Sequence, residues 1–230
     1  MNILAIDTST KVLAVAVLRD DAVTASCTVR RQMRHARTIV DAVDKVLTKT
    51  KISGKELDCI ACGVGPGSYT GLRIGHAFVK GFATGFGLPV YPLSSMELIA
   101  YNIKKYHNKI AVVLDARRNM FYAAFFERSG EGLVRCGNDM IIDEETLQQR
   151  LRQERTIAVT GDALLRHRET VARAVPSTHY LYKESRWYVR AASFADVLRT
   201  HGTITGKPPG ELVPNYLRIS EAEEKMKSPT

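Results

Sequence analysis

The sequence has no long apolar run, little cysteine and a single tryptophan. No stretch approaches the roughly 18 consecutive apolar residues of a membrane-crossing helix, so no membrane association is expected. A secretory leader would set a basic segment before an apolar core. Here Met1 leads straight into the short run Ile3–Asp7, and a cytoplasmic location is expected. The four cysteines, Cys27, Cys59, Cys62 and Cys136, show no disulfide-framework spacing and fit a reducing compartment. The histidines at 35, 76, 107, 167, 179 and 201 never adopt the His-x-x-x-His spacing that puts two ligands on one helical face, so no metal site is expected. There is no Gly-x-Ser-x-Gly elbow and no Gly-Lys-Ser/Thr phosphate loop, and the dinucleotide fingerprint needs a glycine where Thr70 stands. No residue is assigned a catalytic role.

What is present is an ordinary globular composition, 45% apolar and 25% charged over 230 residues, enough for one large or two small domains. The formal charge is +9, and +6 of it lies up to Tyr106, where 14 basic residues face 8 acidic ones. Arg30, Arg31, Arg34 and Arg37 form the densest basic cluster, readable as a solvated helix start or as a nucleic-acid contact.

Ile3–Asp7, Leu13–Leu18 and Val23–Val29 read as three strands of a meander. From Ala36, the apolar positions Ile39, Val40, Val43, Val46 and Leu47 recur at helical spacing. Leu57–Val64 then reads as a buried strand, Gly65-Pro66-Gly67-Ser68 as a turn into a helix ending near Phe86, and Leu88–Tyr91 as a further strand. Ser94 or Ser95 can cap a helix through Tyr101. The plan then repeats. Ile110–Asp115, Met120–Phe126 and Leu133–Cys136 read as strands, Glu144–Gln153 as a helix, Ile157–Thr160 as a strand and Ala163–Val175 as a helix. Two tandem β-β-β-α-β-α units are ribonuclease-H-like halves, and together they predict the α/β actin-like (ASKHA) superfold with a ligand cleft between them. The expected boundary divides residues 1–106 from a smaller second half and C-terminal segment, 107–230.

Asp7-Thr8-Ser9-Thr10 places a carboxylate at a strand end before hydroxyls and amides that suit a phosphate. Asp115 ends the matching strand of the second half. Asp7, Thr8, Ser9 and Asp115 are therefore candidate nucleotide-binding residues, although Asp-Thr-Ser is also common turn chemistry. Gly71 and Gly75, then Gly81 and Gly85, stand four apart on one helix, which costs about 1 kcal/mol each against alanine unless close packing compensates. That packing is against either this chain's own sheet or a partner's helix. Cys59 and Cys62, three apart on a strand, point to opposite faces and read as buried structural thiols rather than a redox pair.

Four segments, Ile3-Leu-Ala-Ile-Asp7-Thr-Ser9, Gly65 through Gly75, Leu114-Asp115-Ala116-Arg117-Arg118 and Pro214-Asn-Tyr216-Leu-Arg218, closely resemble the TsaB/YeaZ family, in family order over nearly the whole chain. The resemblance implies a non-catalytic subunit that binds the catalytic paralogue TsaD and, with the ATPase TsaE, supports formation of N6-threonylcarbamoyladenosine at position 37 of tRNA. It implies weak or indirect tRNA contact, a homodimer when alone, and ATP or ADP at the complex interface. TsaD carries a His-x-x-x-His metal pair where this chain has Ser95 and Ile99, and isoleucine cannot coordinate a metal. The partner surface implied on the helices starting near Ala36 and Ser68 comprises Arg34, His35, Ile39, Val43, Gly67, Tyr69, Thr70, Gly71, Arg73, Gly75 and Phe78. The alternative reading is an actin-like phosphotransferase or nucleotide hydrolase using Asp7 and Asp115.

Overall fold

Ile3, Leu4, Ala5 and Ile6 are fully buried, as a strand covered on both faces requires. In the computed structural model, which describes residues 1–30, 35–103, 105–130, 132–175, 180–202 and 205–218, they lie in β1 (Asn2–Asp7) at the centre of a five-stranded sheet. β1 pairs antiparallel with β2 (Val12–Arg19), and β2 with β3 (Ala22–Arg30). Asp20 and Asp21 make the β2–β3 turn with φ of 49° and 63°, the two-residue geometry that matches strand twist. α1 (His35–Thr50) leads to β4 (Cys59–Gly63), parallel to β1. α2 (Tyr69–Phe86) leads to β5 (Val90–Leu93), parallel to β4. Ser68 Oγ accepts from Gly71 N at 3.2 Å to open α2, and Gly87, at φ 68°, closes it. α3 (Ser95–Ala100) is capped by Ser94, whose Oγ accepts from Glu97 N.

The second sheet repeats this order. β6 (Lys109–Asp115) pairs antiparallel with β7 (Met120–Ser129), which carries β8 (Gly132–Arg135) and β9 (Met140–Asp143). β10 (Ala158–Thr160) runs parallel to β6 after α4 (Glu144–Arg152), and β11 (Tyr180–Leu181) parallel to β10 after α5 (Arg168–Ala174). The strand sequence β3-β2-β1-β4-β5 is thus matched by β8-β7-β6-β10-β11. This is the doubled, actin-like α/β plan.

Three features depart from the sequence reading. β9 is four half-buried or exposed residues with no clean alternation. The helix expected over Ala163–Val175 is a single 3-10 turn, Asp162–Leu165, followed by α5. α6 (Ala191–His201) was not anticipated, yet Phe194, Val197 and Leu198 are buried on it. It packs against β2, β3 and α3 of the first half. Phe194 joins one core with Ile3, Leu98, Ile110 and Phe126, so the apolar interior runs unbroken from one sheet to the other. Full burial of one such ring contributes about 1.5–3 kcal/mol.

Cys59 lies in that shared core while Cys62 lies in the core beneath α1 and α2, on the other side of the sheet, as the strand spacing predicts. Burial pushes the Cys59 thiol up to about 11 and the Cys62 thiol higher still. Among the described residues no helix is long and apolar enough to cross a membrane.

Candidate functional site

Asp7 ends β1 fully buried. Its Oδ1 accepts from Ser9 N at 3.0 Å and Ser9 Oγ at 2.7 Å, and its Oδ2 accepts from Ser95 Oγ at 2.5 Å. Ser95 Oγ in turn accepts from Gly65 N at 3.0 Å. The backbone of Gly63 lies so close that a Cβ there would overlap Asp7 Oδ2. The carboxylate therefore ties the β1–β2 turn to the glycine-rich loop and to α3. The two positions that correspond by resemblance to metal ligands in TsaD are both built into this chain's interior: Ser95 in that tie, Ile99 in the shared core.

The glycine-rich loop closes on the same turn. Ser68 N donates to Ser9 O at 2.6 Å, and a Cβ on Gly67 would overlap the Ser9 carbonyl. Gly75, two turns into α2, faces Thr8 in the same way. Thr8 packs on that glycine, and of the four candidate nucleotide-binding residues Ser9, itself only 1% exposed, and Asp115 line an open space.

That space is a cleft of about 530 Å³ between the halves. Ser9, Thr10 and Lys11 form one wall with Ser68, Tyr69 and Thr70; Asp115, Arg117, Tyr122 and Asp162 face them, and Tyr216 and Arg218 of the C-terminal segment complete the rim. Asp115 Oδ1 accepts from Arg117 N at 2.8 Å, while Oδ2 lies 3.7 Å from Arg117 Nη1 and 3.9 Å from Arg166 Nη1. Arg117, Arg118 and Asn119 all hold φ between 51° and 68°, a left-handed turn at the tip of the β6–β7 hairpin. Residues with a Cβ adopt that region at roughly 1–2 kcal/mol each, and the Arg117 N–H to Asp115 bond helps offset it.

Asp162 enters the cleft from the end of β10, its Oδ1 accepting from Asp115 N at 3.1 Å. Burial raises its carboxyl above the usual range, against the opposing pull of the Asp115 N–H hydrogen bond and of the Lys11 and Arg117 cations. Sequence reading missed Asp162; the signal was Gly161-Asp162 directly after the strand parallel to β6. Gly161, at φ 120°, packs so tightly on Val113 that a side chain would meet its carbonyl. The cleft thus offers cations at Lys11, Arg117 and Arg218 and carboxylates at Asp115 and Asp162, while the wall hydroxyls of Ser9 and Thr10 donate within the chain, to Asp7 Oδ1 and Val12 O. That set suits a phosphate-bearing ligand. Among the described residues no three His, Cys, Asp or Glu side chains gather as a metal site.

The C-terminal segment is tied across the mouth. Asn215 N donates to Val64 O at 2.8 Å, Asn215 Nδ2 to Asp139 Oδ2 at 3.0 Å, and Arg218 Nη1 to Ala116 O at 3.0 Å. The Tyr216 ring lies 4.9 Å from Tyr69, over which the Arg73 guanidinium sits at 4.1 Å.

The expected partner residues divide. Ile39 and Val43 turn inward, 2% and 3% exposed, into the core beneath α1 and α2. Gly71 and Gly75 are also buried, Gly75 against this chain's own Thr8. Gly67 packs on Ser9. Thr70 and Arg73 are exposed, while Tyr69 and Phe78 are half-buried. Arg34 and Arg31 lie outside the described residues, as do the side chains of His35 and Arg37; Arg30 pairs with Glu184. Sequence reading missed Val40, one residue over on α1 and 53% exposed. On α2 the expected Phe78 is followed by Phe82 and Phe86, which were also missed, the rings succeeding one another at 5.6 and 4.7 Å. Beside them Gly81 and Gly85 have no neighbouring atom within 4 Å of a built Cβ.

A family model described as TsaD, tRNA N6-adenosine threonylcarbamoyltransferase, matches residues 30–177. The chain is similar to the tRNA threonylcarbamoyladenosine biosynthesis protein TsaB of Bacillus subtilis, 30% identical over 98% of this chain and 97% of that protein. It is also similar to TsaB of Escherichia coli, 31% identical over 66% of this chain and 67% of that one. A solved structure from Pseudomonas aeruginosa, an uncharacterized protein with similarity to peptidase YEAZ, shares the fold with a TM-score of 0.78, at 23% identity over 94% of this chain and 99% of that one.

Proposed function

This chain belongs to the TsaB/YeaZ family of tRNA threonylcarbamoyladenosine biosynthesis proteins, and we propose that within that pathway it is the non-catalytic subunit that binds TsaD. The observation that carries the proposal is the exposed apolar surface of the two helices, Val40 on α1 and Phe86 on α2, the latter ending a row of half-buried rings from Phe78 and Phe82. Gly81 and Gly85 beside that row leave room for a partner's helix to approach closely. A four-helix contact of this kind is how the chain would hold TsaD in a competent conformation, with TsaE joining the larger complex and a homodimer using the same face when TsaD is absent.

The cleft takes ATP or ADP in this reading, its phosphates on the Lys11 and Arg117 cations, while the transfer chemistry belongs to TsaD. Asp7 is committed to three hydrogen bonds within the chain and does not border the cleft. Of the two carboxylates that the phosphotransferase alternative invokes, this leaves Asp115, which Asp162 joins in the cleft. The test is complex formation with TsaD by calorimetry. Wild type should bind, and Gly81→Arg should remain folded yet bind at least tenfold more weakly. A wild-type chain that forms no complex, or a Gly81→Arg chain that binds as well as wild type, overturns the proposal.

A further inference from the structure

The segment joining the two halves is basic and aromatic, Lys104-Lys105-Tyr106-His107-Asn108-Lys109. The fold gathers its rings into a row. Tyr106 and His107 lie 4.4 Å apart, His107 and Tyr180 5.2 Å, and Tyr180 and Tyr182 4.7 Å. Tyr182 is buried in the shared core, so the row is anchored from inside, while its outer rings stay open, Tyr106 at 66% and Tyr180 at 47% exposure. Beside Tyr106 is a hollow of about 430 Å³, walled by Asn108, Lys109, Arg155 and Thr156. Arg155 is exposed on that wall and Lys105 is exposed next to Tyr106 in the chain; of the two acidic wall residues, Glu127 and Glu154, the latter is held by Lys109 Nζ at 2.7 Å. None of these residues borders the cleft or belongs to the α1–α2 face.

We propose that this aromatic row and hollow bind an unpaired base of a single-stranded RNA segment, with the base on Tyr106 and its phosphate on Lys105 or Arg155. An anchored ring with an exposed face is a stacking platform, and cations beside it place the backbone. Asn108 and Thr156 supply polar groups at the wall for a base edge. Duplex RNA presents no unstacked base to such a platform and is excluded by shape. The proposal rests on the chain's place in tRNA modification, where a loop with unpaired bases is the substrate region.

Fluorescence anisotropy of the full chain with an oligoadenylate of about 12 nucleotides, free or annealed to its complement, tests this. The free strand should bind and the duplex should bind at least about tenfold more weakly. Tyr106→Ala with Tyr180→Ala should weaken binding roughly tenfold or more, and Tyr106→Phe should keep it. The salt slope should be shallow, about −0.7 per phosphate engaged. Equal binding of strand and duplex, no binding of either, or unchanged binding by the double variant overturns the proposal. Tyr106→Ala alone gives the same reading if the double variant does not fold. TsaD complex formation by the same variants should be unchanged, which separates this proposal from that of the subunit role. If that complex is lost while oligoadenylate binding persists, the surface is a protein contact and the RNA proposal fails.

Discussion

Gly75 of α2 lies directly against Thr8 of the β1–β2 turn, so closely that a Cβ on the glycine would overlap the threonine hydroxyl. The sequence left open whether the bare stripe of this helix met its own chain or a partner, and at Gly75 it meets its own chain. Gly75→Leu is therefore expected to destabilise the isolated chain by about 3 kcal/mol through overpacking. That corresponds to a drop of roughly 6–12 °C in Tm for a chain of this size. Gly81→Leu, set in open space, should leave Tm within about 2 °C while weakening TsaD binding. Thermal melts of the two variants check the contrast, and equal Tm values would refute it.

Ser95 should be a structural anchor. Ser95→Ala removes a donor to buried Asp7 and the acceptor of Gly65 N, at an expected cost of about 1–3 kcal/mol. Urea unfolding of the variant should show a lower midpoint with an unchanged slope.

The two ends of the His201 ring join the halves, Nε2 lying 3.0 Å from Glu97 Oε1 and Nδ1 2.9 Å from the Tyr91 hydroxyl. The hydrogen bond to Glu97 raises the His201 pKa above 6.5. The folded state thus holds the proton more tightly than the unfolded one, so this contribution is fully present below pH 6.5 and fades as pH rises through the folded value. His76 acts in the opposite sense. Burial lowers its pKa, so stability declines as pH falls through 6.5, where the unfolded chain takes up the proton more readily. Denaturation from about pH 5 to pH 9 should find that His201→Gln loses most against wild type at the acid end, with the gap narrowing upward. A constant gap would exclude the linkage.

Native alkylation should distinguish the cysteines. Cys136 is exposed, whereas Cys59 and Cys62 are buried with thiols pushed well above neutral pH. Iodoacetamide at neutral pH should modify Cys136 first and reach Cys59 and Cys62 only on unfolding. Early labelling of Cys62, read by mass spectrometry, would place β4 at a surface.

Phe194 of α6 fills the core shared by both halves. Phe194→Ala is expected to cost about 3–5 kcal/mol. Both halves should lose structure in a single transition, followed by far-UV circular dichroism and by Trp187 fluorescence. Two separate transitions would show that the halves unfold independently.

The sequence alone determined the doubled strand-strand-strand-helix-strand-helix plan. Apolar runs such as Ile3–Asp7 and Ile110–Asp115, with turn residues between them, express local propensity and burial, which are properties of short segments. It likewise placed Cys59 and Cys62 on opposite faces, because strand alternation is fixed by backbone geometry. The tertiary structure decided which face of each helix points out. Ile39 and Val40 are adjacent and equally apolar, yet one is buried and the other exposed, because only packing against the sheet sets the rotation of α1. The same holds for the glycines of α2, where Gly75 meets Thr8 and Gly81 meets nothing. Asp162 and Asp115 reach one cleft only because β10 runs parallel beside β6, a pairing between segments about 45 residues apart that no local pattern encodes.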